Sequence, residues 1–227
     1  MNLLCISDIH GRIQNLRRVL DENQDCDLVI LAGDMTQLGG RRQVEKVIEP
    51  VLEARHPVLA VPGNMDKPEV LEVLDARKIN LHGKGVIIGG IGFCGLGGSN
   101  TTPFDCPFAF SEEEMAGLLQ RGFAQIEEAA ARVLVSHAPP LNSLLDRVRR
   151  RHVGSRAVRE FIESQAVMLC VCGHIHESAS DETLGGARCV NTGDFRSGHY
   201  ALITVEAGSD ADGQTSGRTV KVERRRA

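Results

Sequence analysis

The chain has no run of the roughly 18 apolar residues that a membrane-spanning helix requires; its longest candidate, residues 86–98, is short and interrupted by glycine. No membrane-spanning helix is therefore expected. Nor is there a basic excess: the formal net charge is −4 and the sequence pI is near 6.1. Nothing global draws such a chain to nucleic acid or anionic lipid, so any contact with a polyanion has to be local. Residues Met1 to Asp8 lack the basic head and small-residue cleavage site of a secretory leader and read as the first strand of a fold. The seven cysteines show no framework spacing. Cys5, Cys94, Cys170, Cys172 and Cys189 fall in apolar, strand-like runs, the pattern of buried thiols in a reducing cytoplasm. Cys170 and Cys172 resemble a metal clip, but no second Cys pair follows, so a structural zinc site is not expected.

What is present is enough apolar material, 42% of 227 residues, for one substantial core, and a single domain over residues 1–227 is expected. The first third repeats one unit: a short β-branched run, a polar or glycine turn, then an amphipathic helix pattern. Leu3 to Ser7 leads to Asp8-Ile9-His10-Gly11 and a helix from about Ile13 to Glu22. Leu28 to Leu31 leads to Ala32-Gly33-Asp34 and a helix carrying Val44, Val47, Ile48 and Val51. Val58 to Val61 leads to Pro62-Gly63-Asn64-Met65-Asp66 and a helix opened by Pro68. The class is α/β. From Leu81 to Gly98 short glycine-rich strands suggest an antiparallel addition to the sheet. A loop over residues 97–110 precedes a helix from about Glu112 to Glu128, with Ser111 and Glu114 as its capping box. Val133 to Ser136 forms a strand ending at His137, Ser155 caps a helix to about Ser164, and Val167 to Val171 forms a strand ending at Gly173-His174-Ile175-His176. Strands near 187–191 and 200–205 are expected to complete a second sheet, and the polar residues 207–217 to form a mobile hairpin tip within a tail reaching residue 227.

The polar residues gather just past the carboxyl ends of strands, where open α/β sheets place ligands. Asp8, His10, Asp34, Asn64, His137, His174 and His176 are carboxylates, imidazoles and a carboxamide, donors suited to divalent first-row metals. Seven are too many for one tetrahedral ion and suit two ions sharing a carboxylate. A pair roughly 3.5–4 Å apart can hold both the attacking and the leaving oxygen of an in-line displacement at phosphorus. Taken singly, Asp-x-His or Gly-Asp is ordinary turn chemistry; five motifs in order, each at a strand end, are not.

That ordered set, Asp8-x-His10, Gly33-Asp34, Gly63-Asn64, Ser136-His137 and Gly173-His174-x-His176, resembles the signature of the calcineurin-like metallophosphoesterases. Leu81 to Gly85, Gly97 to Asn100, Ser136 to Pro140 and His152 to Arg156 are most similar to its small prokaryotic, largely archaeal, Icc-related members. The resemblance implies a four-layer α/β/β/α sandwich of two mixed sheets flanked by helices. It further implies a dinuclear hydrolase of phosphodiesters or phosphomonoesters, with Asp8, His10, Asp34 and His176 at one ion and Asp34, Asn64, His137 and His174 at the other. Asp34, Asn64 and His137 then carry catalysis, Asp34 bridging the ions opposite a nucleophilic hydroxide. Manganese is the favoured metal, with iron, nickel and zinc compatible. Gly11, Gly33, Gly63 and Gly173 would let the backbone bend close to the ions. One position departs from the pattern: many members carry histidine after the asparagine as a proton donor, and here Met65 stands there, a thioether without a proton to give.

Candidate substrate contacts are Arg12, Asn100, Phe104 and His152, with Asp66 supporting the ligands or capping a turn. Phe104, Phe108 and Phe110 cluster in a chain that is only 4% aromatic; they serve either as a lid or to pin a long loop. The run Arg147 to Arg151 reads first as solvated surface and second as a steering element. The expected partner is a small phosphate ester, including nucleotides, with a homo-oligomer allowed; a nuclease and a non-catalytic metal-binding scaffold are the rival readings.

Overall fold

The computed structural model describes residues 1–101, 105–207 and 218–227. In chain order the elements are β1 (Asn2–Ile6), α1 (Ile13–Glu22), β2 (Leu28–Ala32), α2 (Arg41–Glu53), β3 (Val58–Val61), α3 (Glu69–Ala76), β4 (Gly85–Ile88), β5 (Ile91–Leu96), β6 (Ser99–Asn100), β7 (Ala109–Phe110), α4 (Glu112–Phe123), β8 (Ala131–Ser136), β9 (Arg147–Val148), β10 (Arg151–His152), α5 (Arg156–Ser164), β11 (Leu169–Cys172), β12 (Ser180–Leu184), β13 (Ala187–Asn191), β14 (His199–Ala207) and β15 (Arg218–Arg226).

Two mixed sheets face each other. The first has the order β15-β14-β1-β2-β3 and the second β12-β13-β11-β8-β5-β4. In the first, β1, β2 and β3 are parallel and β14 and β15 form one antiparallel edge; in the second, β13, β11, β8 and β5 are parallel between antiparallel edge strands β12 and β4. Strand alternation assigns the layers. In β1 and β2, Leu4, Ile6, Val29 and Leu31 pack under α1–α3, while Leu3, Cys5, Leu28 and Ile30 enter the core between the sheets. In β8, Val133 and Val135 face that central core and Leu134 faces α4 and α5. Burial on both faces is why β2 reads Leu-Val-Ile-Leu-Ala without a polar residue. The result is the four-layer α/β/β/α sandwich, with the carboxyl ends of β1, β2, β3, β8 and β11 brought to one rim.

Local signals set several boundaries. The Ser111 hydroxyl accepts the Glu114 N–H, and the Glu114 carboxylate accepts the Ser111 N–H, completing the capping box of α4. Ser155 likewise caps α5 through the Val158 N–H. Three expectations are corrected. Residues 81–98 do not extend the first sheet; β5 pairs in parallel with β8 and belongs to the second. The strand near 200–205 is β14, antiparallel to β1 in the first sheet, because the chain returns to the amino-terminal edge after β13. The stretch from 207 to 227 is not a tail throughout: Arg218–Arg226 form β15, paired along its length with β14, and residues 208–217 lie outside the described residues.

Candidate metal centre

The ends of β1 and β2 are laced together before any side chain is considered. The N–H groups of Asp8, His10 and Gly11 donate to the carbonyls of Gly33, Asp34 and Met35 at 3.0, 2.9 and 2.9 Å. The second sheet joins them: the His137 carbonyl accepts the Gly173 N–H, and the His174 N–H donates to the Asp8 Oδ2 at 3.0 Å. The backbone is bent hard to do this. Asp8, His10, Asp34 and His174 have φ of 57°, 46°, 48° and 68°, a region that costs a non-glycine residue of order 1–3 kcal/mol. Four candidate ligands sharing that cost argues that the surrounding structure enforces their placement. Glycine is required at two approaches: a methyl at Gly63 would enter the Asp34 carboxylate, and one at Gly173 would enter Ser7 and Asp8.

The side chains then converge. Ligand atoms of Asp8, His10 and His176 lie within 4.8 Å of one another, and so do those of Asp8, Asp34 and His137. The His176 Nε2 is 3.1 Å from the Asp8 Oδ1. Asp34 turns one oxygen toward each group, with Oδ2 3.9 Å from the His10 Nε2 and Oδ1 3.5 Å from the His137 Nε2. Asn64 points its Oδ1 at the His137 Nε2, 3.0 Å away, and the His174 ring lies 5.1 Å from that of His137. All seven sequence-derived candidates therefore meet at one place.

These donors fit divalent cations. His137 Nδ1 is 2.8 Å from the Ala32 carbonyl; a carbonyl only accepts, so Nδ1 carries a proton and neutral His137 turns its Nε2 lone pair toward Asn64 and Asp34. Lone pairs facing one another in a buried site need a cation between them. In a metal-free chain that cation is a proton: burial works against it, but the Asp34 charge and hydrogen bond and the Asp8 charge win, pushing the His137 pKa up to about 9. Burial also opposes ionisation of Asp8, yet the His176 hydrogen bond and the charges of His137 and His176 hold its carboxyl well below the usual range. His176 is raised, chiefly by its hydrogen bond to Asp8. His174 is pushed down to about 4, by burial first and the charge of His137 second.

Asp66 clamps the two loops of the first sheet. It is fully buried and accepts N–H groups from Met35, Thr36 and Gly63 at 3.2, 2.8 and 2.8 Å and the Thr36 hydroxyl at 2.7 Å. Burial, then the Asp34 charge, raises its pKa to about 7 against those hydrogen bonds.

The substrate candidates fare unevenly. Asn100 lines a cavity beside the centre. Arg12 precedes α1 as an exposed residue and is not among the residues lining either cavity at the centre. His152 also lies off those linings, its Nδ1 engaged at 2.6 Å by the buried Asp146. Phe104 lies outside the described residues. Phe108 and Phe110 pack on the His82 ring at 5.2 and 5.5 Å and on each other at 4.9 Å, which pins the loop to the domain. Sequence reasoning missed four residues. Gln37 and Arg196 line the opening over the ligands. Asp194 stands 4.0 Å from the His176 Nδ1 and 3.5 Å from the Arg196 Nε. Cys106 Sγ accepts the Asn64 Nδ2 at 3.3 Å. For Asp194 the signal existed: Gly193-Asp194 follows strand β13 just as Gly33-Asp34 follows β2.

A calcineurin-like phosphoesterase profile matches residues 1–178, a span that takes in every candidate ligand. With this donor set, the match defines a metal-dependent phosphoester hydrolase. The chain belongs to the calcineurin-like phosphoesterase family. It is 37% identical over 197 residues to an uncharacterized protein of Methanocaldococcus jannaschii, covering 84% of this chain and 87% of that one. It is 24% identical over 188 residues to the 3',5'-cyclic adenosine monophosphate phosphodiesterase CpdA of Haemophilus influenzae, covering 81% and 66%. Two solved structures share the fold: a protein of Thermus thermophilus, TT1561 (TM-score 0.75, 18% identity, 99% of this chain and 98% of that one), and a dimetal phosphatase from Danio rerio (TM-score 0.65, 14% identity, 89% and 92%). Among the described residues no helix is long and apolar enough to cross a membrane.

Proposed function

We propose that the chain hydrolyses a phosphodiester or phosphomonoester at a dinuclear centre, with Asp8, His10, Asp34 and His176 at one ion and Asp34, Asn64, His137 and His174 at the other. The observation that carries this reading is the doubling of the donor set: the groups Asp8–His10–His176 and Asp8–Asp34–His137 share Asp8, and Asp34 sets Oδ2 3.9 Å from the His10 Nε2 and Oδ1 3.5 Å from the His137 Nε2. Two divalent ions supply Lewis acidity toward the phosphoryl oxygens and a water acidic enough to attack at neutral pH. The chain's own residues do the rest. Asp34 holds the two donor groups in register, fixed by the Met65 N–H at 2.8 Å. Asn64 and His137 face each other across the second group, and the half-exposed Arg196 at the opening offers its guanidinium to phosphate oxygens.

Manganese is the first metal to test, and iron, nickel and zinc suit the same nitrogen and oxygen donors. The relative named as a cyclic-nucleotide phosphodiesterase supports a small ester, including nucleotides, as substrate. Six buried cysteines suit a reducing cytoplasm. The test is metal analysis of protein purified without chelator, paired with hydrolysis of aryl phosphomonoesters and phosphodiesters in manganese, nickel and zinc. Two equivalents of metal and turnover are expected. Metal without turnover on any ester would leave a binding scaffold, and neither would overturn the centre itself.

A further inference from the structure

Three imidazoles turn Nε2 toward Asp8 or Asp34, and their other ring nitrogens are met in different ways. His137 Nδ1 is 2.8 Å from the Ala32 carbonyl and His10 Nδ1 is 3.4 Å from the Thr36 carbonyl. His176, whose Nε2 is 3.1 Å from the Asp8 Oδ1, turns Nδ1 toward a charge instead: the Asp194 Oδ2 stands 4.0 Å away. That contact is too long for a hydrogen bond. It is a charge contact from a carboxylate that is only 5% exposed, where salt screens it weakly. His176 is also the one of the three with a third of its side chain exposed, so it has the least packing to fix its ring.

The backbone around Asp194 is tied to both sheets. On the way in, the Thr192 N–H donates to the Cys172 carbonyl at 3.0 Å and the Asn191 amide to the Ile175 carbonyl at 2.9 Å, which fastens the chain to the segment carrying His174 and His176. Gly193 makes the turn at φ 84°, where a methyl would crowd Ala179 and His199. On the way out, the N–H groups of Phe195 and Arg196 donate to the Ser7 and Asp8 carbonyls at 3.1 and 3.3 Å, and the Phe195 side chain is fully buried. The two carboxylate oxygens then have separate partners. Oδ1 accepts the Arg196 N–H at 2.9 Å and so caps the single 3₁₀ turn Phe195–Ser197. Oδ2 accepts the Ser197 hydroxyl at 2.9 Å and lies 3.5 Å from the Arg196 Nε, held where it faces His176. A cap needs one neutral acceptor, which serine or asparagine supplies as well; the second oxygen and the charge are not needed for it.

We propose that Asp194 is a positioning residue for the centre and acts through His176. Its negative charge beside Nδ1 keeps the proton on that nitrogen and the lone pair on Nε2, aimed at the Asp8–His10–His176 group. It does for the more exposed imidazole what the Ala32 and Thr36 carbonyls do for the other two. The inference rests on the metal-dependent reading of the centre.

The experiment titrates zinc into the full chain against a chromophoric chelator. His176→Ala first identifies the binding step that contains His176. Asp194→Asn and Asp194→Ser, which keep the cap and remove the charge, should each weaken that step at least about tenfold, the scale on which partners of ligating histidines act. Thermal unfolding of the metal-free chain should stay near wild type in both, because Asn and Ser cap as well as Asp. Glu177→Gln is the control: it removes an exposed charge of the same sign next to His176 and should change the step less than about twofold. Zinc affinity within about twofold of wild type in both Asp194 variants would overturn the proposal. So would a matching loss in Glu177→Gln, which would reduce the effect to bulk charge, or a loss that tracks lowered unfolding temperature, which would reduce it to the cap. If His176→Ala weakens no step, the reading of the centre fails and this inference with it. Zinc binding that responds as expected, in a chain that hydrolyses no ester, would strike the phosphoesterase reading and leave the role of Asp194 standing.

Discussion

The floor of the site and its walls are built on different terms. The floor comes from the carboxyl ends of five parallel strands in two sheets, and its backbone is tied by hydrogen bonds across both, with Asp8, Asp34, Asn64 and His137 buried. The walls, the described residues of the 97–110 loop and the β9–β10 hairpin, are held by side-chain contacts, such as Phe108 on His82, Asp146 on the Gly154 N–H and Ser178 on the Arg147 backbone, and the hairpin arginines are exposed. A floor so constrained tolerates one arrangement of charge, whereas the walls are placed by a few side-chain contacts at their base. Chemistry is thus lodged in the framework and selectivity in its attachments.

The sharpest break between the two would come from Asp34→Ala. It removes the oxygen presented to each donor group and the acceptor of the Met65 N–H, so kcat/KM should fall at least about 10³-fold, on the order of 4 kcal/mol. Stability of the metal-free protein should change little, because a strained, mutually repelling carboxylate is removed. Steady-state kinetics with thermal unfolding in chelator checks both, and a fall under about tenfold would move Asp34 out of the floor.

Met65 sits at the boundary, lining the cavity over the ligands and the apolar cavity beside it. Met65→His would place an acid where the thioether offers none. Because general acids contribute typically 10²–10⁴-fold, an alkyl phosphodiester with a poor leaving group should gain about 10²-fold while an aryl ester gains under about threefold. An equal effect on both would mean that the wall residue shapes binding alone.

The centre should also announce itself through pH. His137 has its pKa pushed from an ordinary 6.5 up to about 9 in the metal-free chain, so its contribution to folding is fully present below 6.5 and disappears as pH rises through about 9. A bound cation must displace that proton. Metal affinity should therefore strengthen about tenfold per pH unit toward pH 9 and level off above it. Calorimetric titrations at several pH values, in buffers of different ionisation enthalpy, read the affinity and the proton released. An affinity independent of pH from 6.5 to 9 would show that His137 lies outside the ligand set.

The same contrast governs how much could be read from residues alone. The convergence of the seven candidates was legible because each follows a strand whose apolar run ends abruptly, and parallel strands in one sheet end together. The Ser111 and Ser155 caps were legible because capping is local chemistry. The sheet to which β14 belongs was not, since alternation specifies a strand's faces and says nothing of its neighbour. The walls were least legible: β6, β7, β9 and β10 are two residues long and carry no period, and the charge run at Arg147 to Arg151, whose arginines are exposed as read, gave no sign that Val148 within it would line a cavity with His174. Asp194 and Arg196 lay hidden for another reason. Their strand-end signal was present, but the β13 strand was assigned to completing a sheet, not to feeding the site.

The smallest expected effect tests whether any wall residue reaches the floor. Asn64 can present its Oδ1 to His137 only while its Nδ2 has somewhere else to point, and the Cys106 Sγ at 3.3 Å, carried by the 97–110 loop, is where it points. A hydrogen bond to sulfur is weak, so removing it should release the amide to rotate at a cost of roughly 0.5–1 kcal/mol, about a two- to fivefold loss in kcat. Cys106→Ala should show that loss with KM for a small aryl diester nearly unchanged, and Cys106→Ser, which keeps an acceptor, should recover part of it. If Cys106→Ala equals wild type, the loop borders the centre without supporting it, and floor and wall are independent. A loss beyond about 10²-fold would mean that the cysteine belongs to the floor, because amide orientation alone is worth far less than that.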